Sequence, residues 1–408
     1  MVLYEEADVA GSAVNAAFNR RIAAELQGMQ EQGVYKALLH IMGMQGAVVE
    51  LEEFGETVNL CSNNYVGLCD VPEVVEGVRE GAARYGAGTA SVRFICGTWD
   101  IHRELEDRIA DFLETEAAIT YTSCWNANEG LFAPLLTDED ALISDALNHA
   151  SIIDGIRLCK AERHIYKHMD MDALEDALKR TQDKRTRLVM TDGVFSMEGE
   201  IAPLPAIREL CDRYDAVLTV DDSHATGVLG DTGRGTPEHF GMHGEVDIIT
   251  STLGKALGGM AGGFTASSRP VVDYLVQRSR TQLFTNAMPP HSACGALAAI
   301  DYLEAHPERV QKLRANTDYF RRNLVDLGFE PIEGDTPIVP VIIGETAAAM
   351  KLSRELLDEG VFVIGFGFPV VPRGEARIRC QVSAAHEIEH LDRALAALDV
   401  VGRRLGVI

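Results

Sequence analysis

Between residues 72 and 268 the sequence alternates helical periods with short β-rich runs, and this rhythm restricts the fold more than any other feature. Ile101, Leu105, Ile109 and Phe112 recur at four- and three-residue spacing and mark one helix, with Asp100 as its expected N-cap. Strands are expected at 118–122, 141–144, 188–191, 217–220 and 246–250, and helices at 126–136, 151–161 and 205–214. Alternation of this kind implies an α/β fold, a mostly parallel sheet covered by helices on both faces. In such sheets ligands collect at the carboxyl ends of the strands.

The flanking segments follow other rhythms. Residues up to about 45 read as helix, with Phe18, Ile22, Leu26 and Met29 at helical spacing, and 47–61 as a polar β-like stretch. A long helical stretch, 291–327, is followed by a strand (338–343), a helix (347–359), strands at 361–366 and 377–382, and a last helix from 387 towards 401. A chain of 408 residues exceeds what one core usually supports. We expect an N-terminal helix and β-arm over 1–60, a large domain over 61–300, and a smaller C-terminal α+β domain over 301–408.

A formal charge of −25 repels phosphate backbones and anionic lipid, so neither nucleic acid nor membrane is an expected partner. The eight cysteines include no C-x-x-C pair, and the first residues are acidic (Glu5, Glu6, Asp8) rather than those of a signal peptide. No apolar run reaches the roughly 20 residues that cross a bilayer. The expected compartment is the reducing cytoplasm.

Two strand ends carry groups that could do chemistry. Val217-Leu-Thr-Val-Asp221-Asp222-Ser-His224 places carboxylates and an imidazole just past a buried strand. A strand-end Asp often caps a loop, but Asp221 could also salt-bridge a protonated heterocyclic nitrogen, with His224 beside it. Val246-Asp-Ile-Ile-Thr-Ser-Thr252-Leu-Gly254-Lys255 ends in one lysine among glycines, where backbone can approach a bound group closely. A third turn, Ser123-Cys124-Trp125-Asn126, starts a helix whose free N–H groups could receive a phosphate. Lysine, aspartate and phosphate cradle together suggest a phosphorylated heterocyclic aldehyde.

Two short matches compete. Gly86-Ala-Gly88 follows a helical stretch and lacks the third glycine of a dinucleotide fingerprint. His386-Glu387-Ile-Glu-His390 fits H-E-x-x-H, which can present two zinc-binding imidazoles on one helix face. Here the first histidine falls where a strand has just ended. A zinc hydrolase using His386 and His390 is the rival of a different class, and no metal is expected.

The motifs, in order, resemble those of the α-oxoamine synthases, pyridoxal-phosphate (PLP) acyltransferases. The matching stretches begin with Cys61-Ser-Asn-Asn-Tyr-Val-Gly-Leu, Ala90-Ser-Val-Arg-Phe-Ile-Cys-Gly-Thr, Asp145-Ala-Leu-Asn-His-Ala-Ser-Ile-Ile-Asp-Gly and Thr191-Asp-Gly-Val-Phe-Ser-Met-Glu-Gly. They continue with Val220-Asp-Asp-Ser-His-Ala-Thr-Gly, Thr250-Ser-Thr-Leu-Gly-Lys-Ala-Leu-Gly-Gly and Phe368-Pro-Val-Val-Pro-Arg-Gly-Glu-Ala-Arg-Ile-Arg. The resemblance implies an aspartate-aminotransferase-like PLP fold. It implies an activity closest to the glycine C-acetyltransferase branch, which condenses glycine with acetyl-CoA and runs in reverse in threonine degradation. A member using another acyl-CoA or amino acid, such as an 8-amino-7-oxononanoate synthase, is the rival within the class.

Residue roles come with the resemblance. Lys255 would carry the cofactor as a Schiff base and Asp221 would pair with its ring nitrogen. His224, with Ser196, would bond the phenolic oxygen, and His149 would stack on the ring. Ser123, Cys124, Trp125 and Thr252 would hold the phosphate, while Thr285 would reach the cofactor of a partner subunit in an obligatory homodimer. Asn63 and Arg379 would clasp the amino-acid carboxylate, a task that suits a planar guanidinium. Trp99, Trp125 and residues 37–46 depart from the family pattern and bear on acyl-chain choice.

Overall fold

The computed structural model describes residues 15–368 and 370–408; the acidic first residues lie outside them. The helix Ala16–Glu31 keeps the helical period read from Phe18 to Met29 but buries none of its residues. It stops just before Gly33, whose φ of +67° lies in the left-handed region that favours glycine, so the expected helix up to residue 45 is cut short. The hairpin β1 (Val48–Leu51) and β2 (Gly55–Asn59) forms the arm.

Seven strands build the central sheet: β3 (Ala117–Tyr121), β4 (Ala141–Asp145), β5 (Glu162–Tyr166), β6 (Arg187–Asp192), β7 (Ala216–Asp221), β8 (Ile248–Thr252) and β9 (Gly263–Ser267). Their order is β3-β9-β8-β7-β6-β4-β5. Strands β4 to β8 pair in parallel, and β9 runs antiparallel to both β3 and β8. Alternate residues of these strands feed two apolar clusters. Ile143, Val189 and Ile249 join one, and Leu142, Leu188 and Ile248 the other, so both faces of the sheet are covered. The fold is the α/β arrangement that the alternation implied, a mostly parallel sheet covered by helices on both faces.

The differences in detail have local causes. β5 is an edge strand whose Glu162, Arg163 and Ile165 are exposed, so it lacks the apolar run of its neighbours. The 126–136 stretch is two short helices, Cys124–Glu129 and Phe132–Leu135. Likewise 291–327 is two helices, Pro290–Ala305 and Glu308–Leu327, divided at His306-Pro307, because proline lacks the N–H and disfavours helical geometry before it. Pro290–Ala305 runs unbroken across residues 300 and 301 and packs on the helix Pro72–Tyr85. That packing is close enough that a Cβ on Gly81 would lie 2.8 Å from Cys294 Sγ.

Beyond it, β10 (Ile338–Gly344), β12 (Ile364–Phe366) and β13 (Ala376–Gln381) make an antiparallel sheet in the order β10-β13-β12. The two-residue strand β11 (Val361–Phe362) leaves this unit to pair in parallel with β2, so arm and C-terminal unit share a sheet. Phe320, Val339, Leu352, Ile378 and Leu398 form a separate core there. No helix of the described residues is long and apolar enough to cross a membrane.

Candidate active site

The carboxyl ends of the parallel strands converge on one cavity of about 200 Å³. Asp221 closes β7, Asp192 closes β6, Thr252 closes β8, and Lys255 stands in the turn after it. Ser123, Cys124 and Trp125 follow β3, and His149 caps the helix Ala150–Leu158 after β4. The turn at Ser123-Cys124 can press against the sheet because Gly263 has no side chain: a Cβ there would lie 2.2 Å from the Cys124 nitrogen. A wider cavity of about 740 Å³ adjoins the first and shares His149, His224 and Lys255 with it; Asn63, Ser196, Phe368 and Arg379 also line it.

Burial lowers the Lys255 pKa, against the opposing pull of Asp221, Cys124 and Asp192. Among the described residues its amine has no ion-pair or hydrogen-bond partner. Asp221, in contrast, is held firmly. Asn128 Nδ2 donates to its Oδ2 at 2.7 Å and the Ser223 backbone N–H to its Oδ1 at 3.0 Å. Cys124 Sγ lies 3.7 Å from Oδ2, and burial keeps that thiol protonated. His224 Nδ1 is 2.8 Å from the Tyr65 hydroxyl; burial first, then the positive charges of Lys255 and Arg379, keep this imidazole neutral.

The substrate side is built from the C-terminal unit. Successive inward positions of β13 bear Arg377, Arg379 and Gln381. Arg377, fully buried, donates to the Met197 carbonyl at 3.0 Å and pairs with Glu198. Arg379 donates to the Ser196 carbonyl at 2.7 Å and stacks over Phe366, and its Nε is buried without a partner. Gln381 donates to Asn63 Oδ1 and to the Tyr65 hydroxyl, which links the carboxylate clasp to His224.

Eleven of the twelve residues singled out in the sequence line one or both cavities; Thr285, half-buried after the short helix Arg280–Leu283, lines neither. Sequence reasoning missed Asp192, Asn128, Ser151, Tyr65 and Gln381. Asp192 had a usable signal, since it ends a parallel strand as Asp221 does. Its Oδ2 accepts the His149 backbone N–H at 3.1 Å, while Oδ1 is buried with no partner, and burial drives its pKa well up.

The zinc reading fails. His386 is fully buried and both its ring nitrogens are committed: Nδ1 accepts the Ser383 N–H at 3.0 Å and Nε2 lies 3.1 Å from the Asn59 carbonyl. His390 Nδ1 accepts the Glu387 N–H as half of a capping box for the last helix, Ile388–Leu405. The pair caps a helix and pins the arm, and the His386 ring has no nitrogen free for a metal.

The aminotransferase class I and II profile matches residues 55–398. The chain belongs to that family. Within the family it is 47% identical over 393 residues to the 2-amino-3-ketobutyrate coenzyme A ligase of Escherichia coli K12, covering 96% of this chain and 99% of the relative. It is also 47% identical over 388 residues to an 8-amino-7-oxononanoate synthase of Symbiobacterium thermophilum, covering 95% and 98%. Among solved structures it superposes on a serine palmitoyltransferase from S. paucimobilis with a bound PLP–myriocin aldimine, at TM-score 0.91 and 29% identity over 97% and 100% of the two chains. These relatives put this aminotransferase-family chain among the α-oxoamine synthases.

Proposed function

We propose that this chain is a PLP-dependent acyltransferase that condenses glycine with acetyl-CoA to 2-amino-3-oxobutyrate and CoA, and that it runs the reverse cleavage in threonine degradation. The observation that carries this reading is a half-buried, unpartnered Lys255 amine opening on the same cavity as the fixed Asp221 carboxylate. The cavity suits the cofactor on its own evidence: Asp192 Oδ1 and Arg379 Nε are buried polar atoms that lack partners until something polar arrives.

When bound, PLP supplies an electron-accepting ring that makes the glycine Cα–H acidic. The protein's part is positional and electrostatic. Asp221 keeps a protonated ring nitrogen charged, its own oxygens fixed by Asn128 and Ser223. Lys255, its pKa lowered by burial, accepts the Cα proton at Nζ. His149 would cover one ring face, and His224, with Ser196, would meet the phenolic oxygen. Ser123, Cys124, Trp125 and Thr252 would take the phosphate, and Asn63 and Arg379 the glycine carboxylate.

We also propose a homodimer in which Thr285 reaches the partner's site. Phe94 and Ile95, on the neighbouring short helix Arg93–Cys96, and Phe284 expose large apolar surfaces beside Thr285, which favours burial against a second copy. All eight cysteines are free, in keeping with a proposed cytoplasmic location.

A second reading has support in the equal identity to a synthase of another name: a longer acyl-CoA or another amino acid as substrate. Incubation with glycine and a panel of acyl-CoAs, followed by free-thiol release, decides between them. Acetyl-CoA is expected to turn over fastest; preference for a long acyl chain overturns the glycine/acetyl assignment.

A further inference from the structure

Five side chains from four elements form one continuous hydrogen-bonded chain behind the cavity. Thr250, on β8, donates its hydroxyl to Asn128 Oδ1 at 2.8 Å. Asn128, fully buried on the helix Cys124–Glu129, donates one amide hydrogen to Asp221 Oδ2 at 2.7 Å and directs the same nitrogen at Ser151 Oγ, 3.0 Å away. Ser151 Oγ lies 2.7 Å from His149 Nδ1, and the Ser151 backbone N–H points at that same nitrogen at 3.2 Å.

Donor and acceptor chemistry gives this chain a single direction. An ionised Asp221 can only accept, so the Asn128 NH₂ must face it, and the flipped amide would set oxygen against oxygen. The second amide hydrogen then occupies a lone pair of Ser151 Oγ, which leaves the Ser151 hydroxyl hydrogen for His149. A backbone N–H also can only donate. Nδ1 of His149 therefore receives two donors and cannot itself carry a proton.

We propose that Asn128 is a positioning residue that wires the Asp221 carboxylate to the His149 imidazole through Ser151, and so fixes His149 as the neutral form with its proton on Nε2. The assignment goes beyond the roles of the two end groups, and it rests on the PLP reading only for what those groups do to a bound ring. Asn128 makes both ends rigid together: the carboxylate that meets one edge of the ring and the imidazole that covers its face share one buried amide. The neutral state fits the surroundings: the residue is partly exposed, but the desolvation of the ring in the cavity disfavours a charged His149 against the opposing pull of Asp221. The charged groups facing it are Asp221, Lys255 and Asp192, with His224 across the cavity.

The test is histidine ¹⁵N NMR on the full-length protein, with and without PLP, with the His149 signal assigned from a His149→Gln variant. An unprotonated Nδ1 and a protonated Nε2 are expected in both samples; a proton on Nδ1 overturns the proposal. Ser151→Ala removes the hydroxyl donor to neutral His149, so its titration midpoint should rise, and an unchanged midpoint also overturns it. Asn128→Asp, nearly isosteric, replaces the donating NH₂ by an acceptor, and PLP should dissociate about tenfold more readily, the effect of one lost charge-assisted hydrogen bond. Unaltered PLP affinity in a folded variant counts against the wiring. Failure of the wild-type protein to bind PLP at all would sink the cofactor reading, while the tautomer measured without PLP still decides the wiring.

Discussion

The ends of the central strands and the start of the last helix both gather ionisable side chains in motif-like spacing, yet they are built to opposite rules. Around His386 the ring nitrogens are closed on protein partners: the imidazole bridges the Ser383 N–H and the Asn59 carbonyl, and His390 and Glu387 cap one another's backbone. Around Lys255 the partners are withheld. The amine has none, Asp192 Oδ1 has none, and Arg379 Nε has none. Buried polar groups are costly when unpaired, so the Asp192 oxygen and the Arg379 nitrogen, on the two adjoining cavities that Lys255 shares, fit a place kept ready for a ligand. The first region uses its imidazoles for stability; the second stores unmet hydrogen-bonding capacity for chemistry.

The largest expected effect sharpens that contrast at the amine itself. Lys255→Ala should lower turnover by about 10⁴-fold, the upper range for a positioned proton-transfer group, and abolish the absorbance band of lysine-bound PLP. Asp221→Asn should retain PLP but reduce turnover by about 10³-fold, because a neutral amide no longer holds the ring nitrogen protonated. Steady-state kinetics with glycine and acetyl-CoA check both, and near-normal turnover in the asparagine variant would break the assignment.

The other region predicts a pH effect on stability rather than on chemistry. Burial lowers the His386 pKa to about 4, against 6.5 for an ordinary histidine. Between those values the unfolded chain binds more protons than the folded one, so stability falls as pH drops from 6.5 to 4. The shift corresponds to about 3 kcal/mol. Urea unfolding of wild type and His386→Gln across that window should show the steeper loss in wild type; parallel curves would contradict the closed role of this imidazole. The smallest expected effect is none. A strong chelator should leave turnover unchanged and metal analysis should find no stoichiometric zinc, whereas loss of activity on chelation would revive the H-E-x-x-H reading.

The sheet was legible because β4, β6, β7 and β8 are buried on both faces and therefore spell apolar runs. β5 and β9 were not: one is a polar edge, and the other is a run of small residues, Gly-Phe-Thr-Ala-Ser, whose pairing is decided by its neighbours. The same limit applies in the site. Lys255, Asp221 and His224 announce themselves in local sequence, and the resemblance supplied Asn63, Ser196 and Arg379. Asn128, Ser151, Tyr65 and Gln381 depend on partners 23 to 318 positions away, which no local pattern encodes. One such signal went unused: Asp192 ends its strand as Asp221 does, and it lines the same cavity with one oxygen unpaired.

The pleat of β13 puts Arg377, Arg379 and Gln381 on a common side, each reaching across to the loop at 196–198 or to the segment at 63–65. A slip of one residue against β10 would rotate all three outward at once. Mutations in the neighbouring strand β10 would thus disable substrate capture while leaving every contacting residue unaltered, and damage to alignment would masquerade as damage to chemistry.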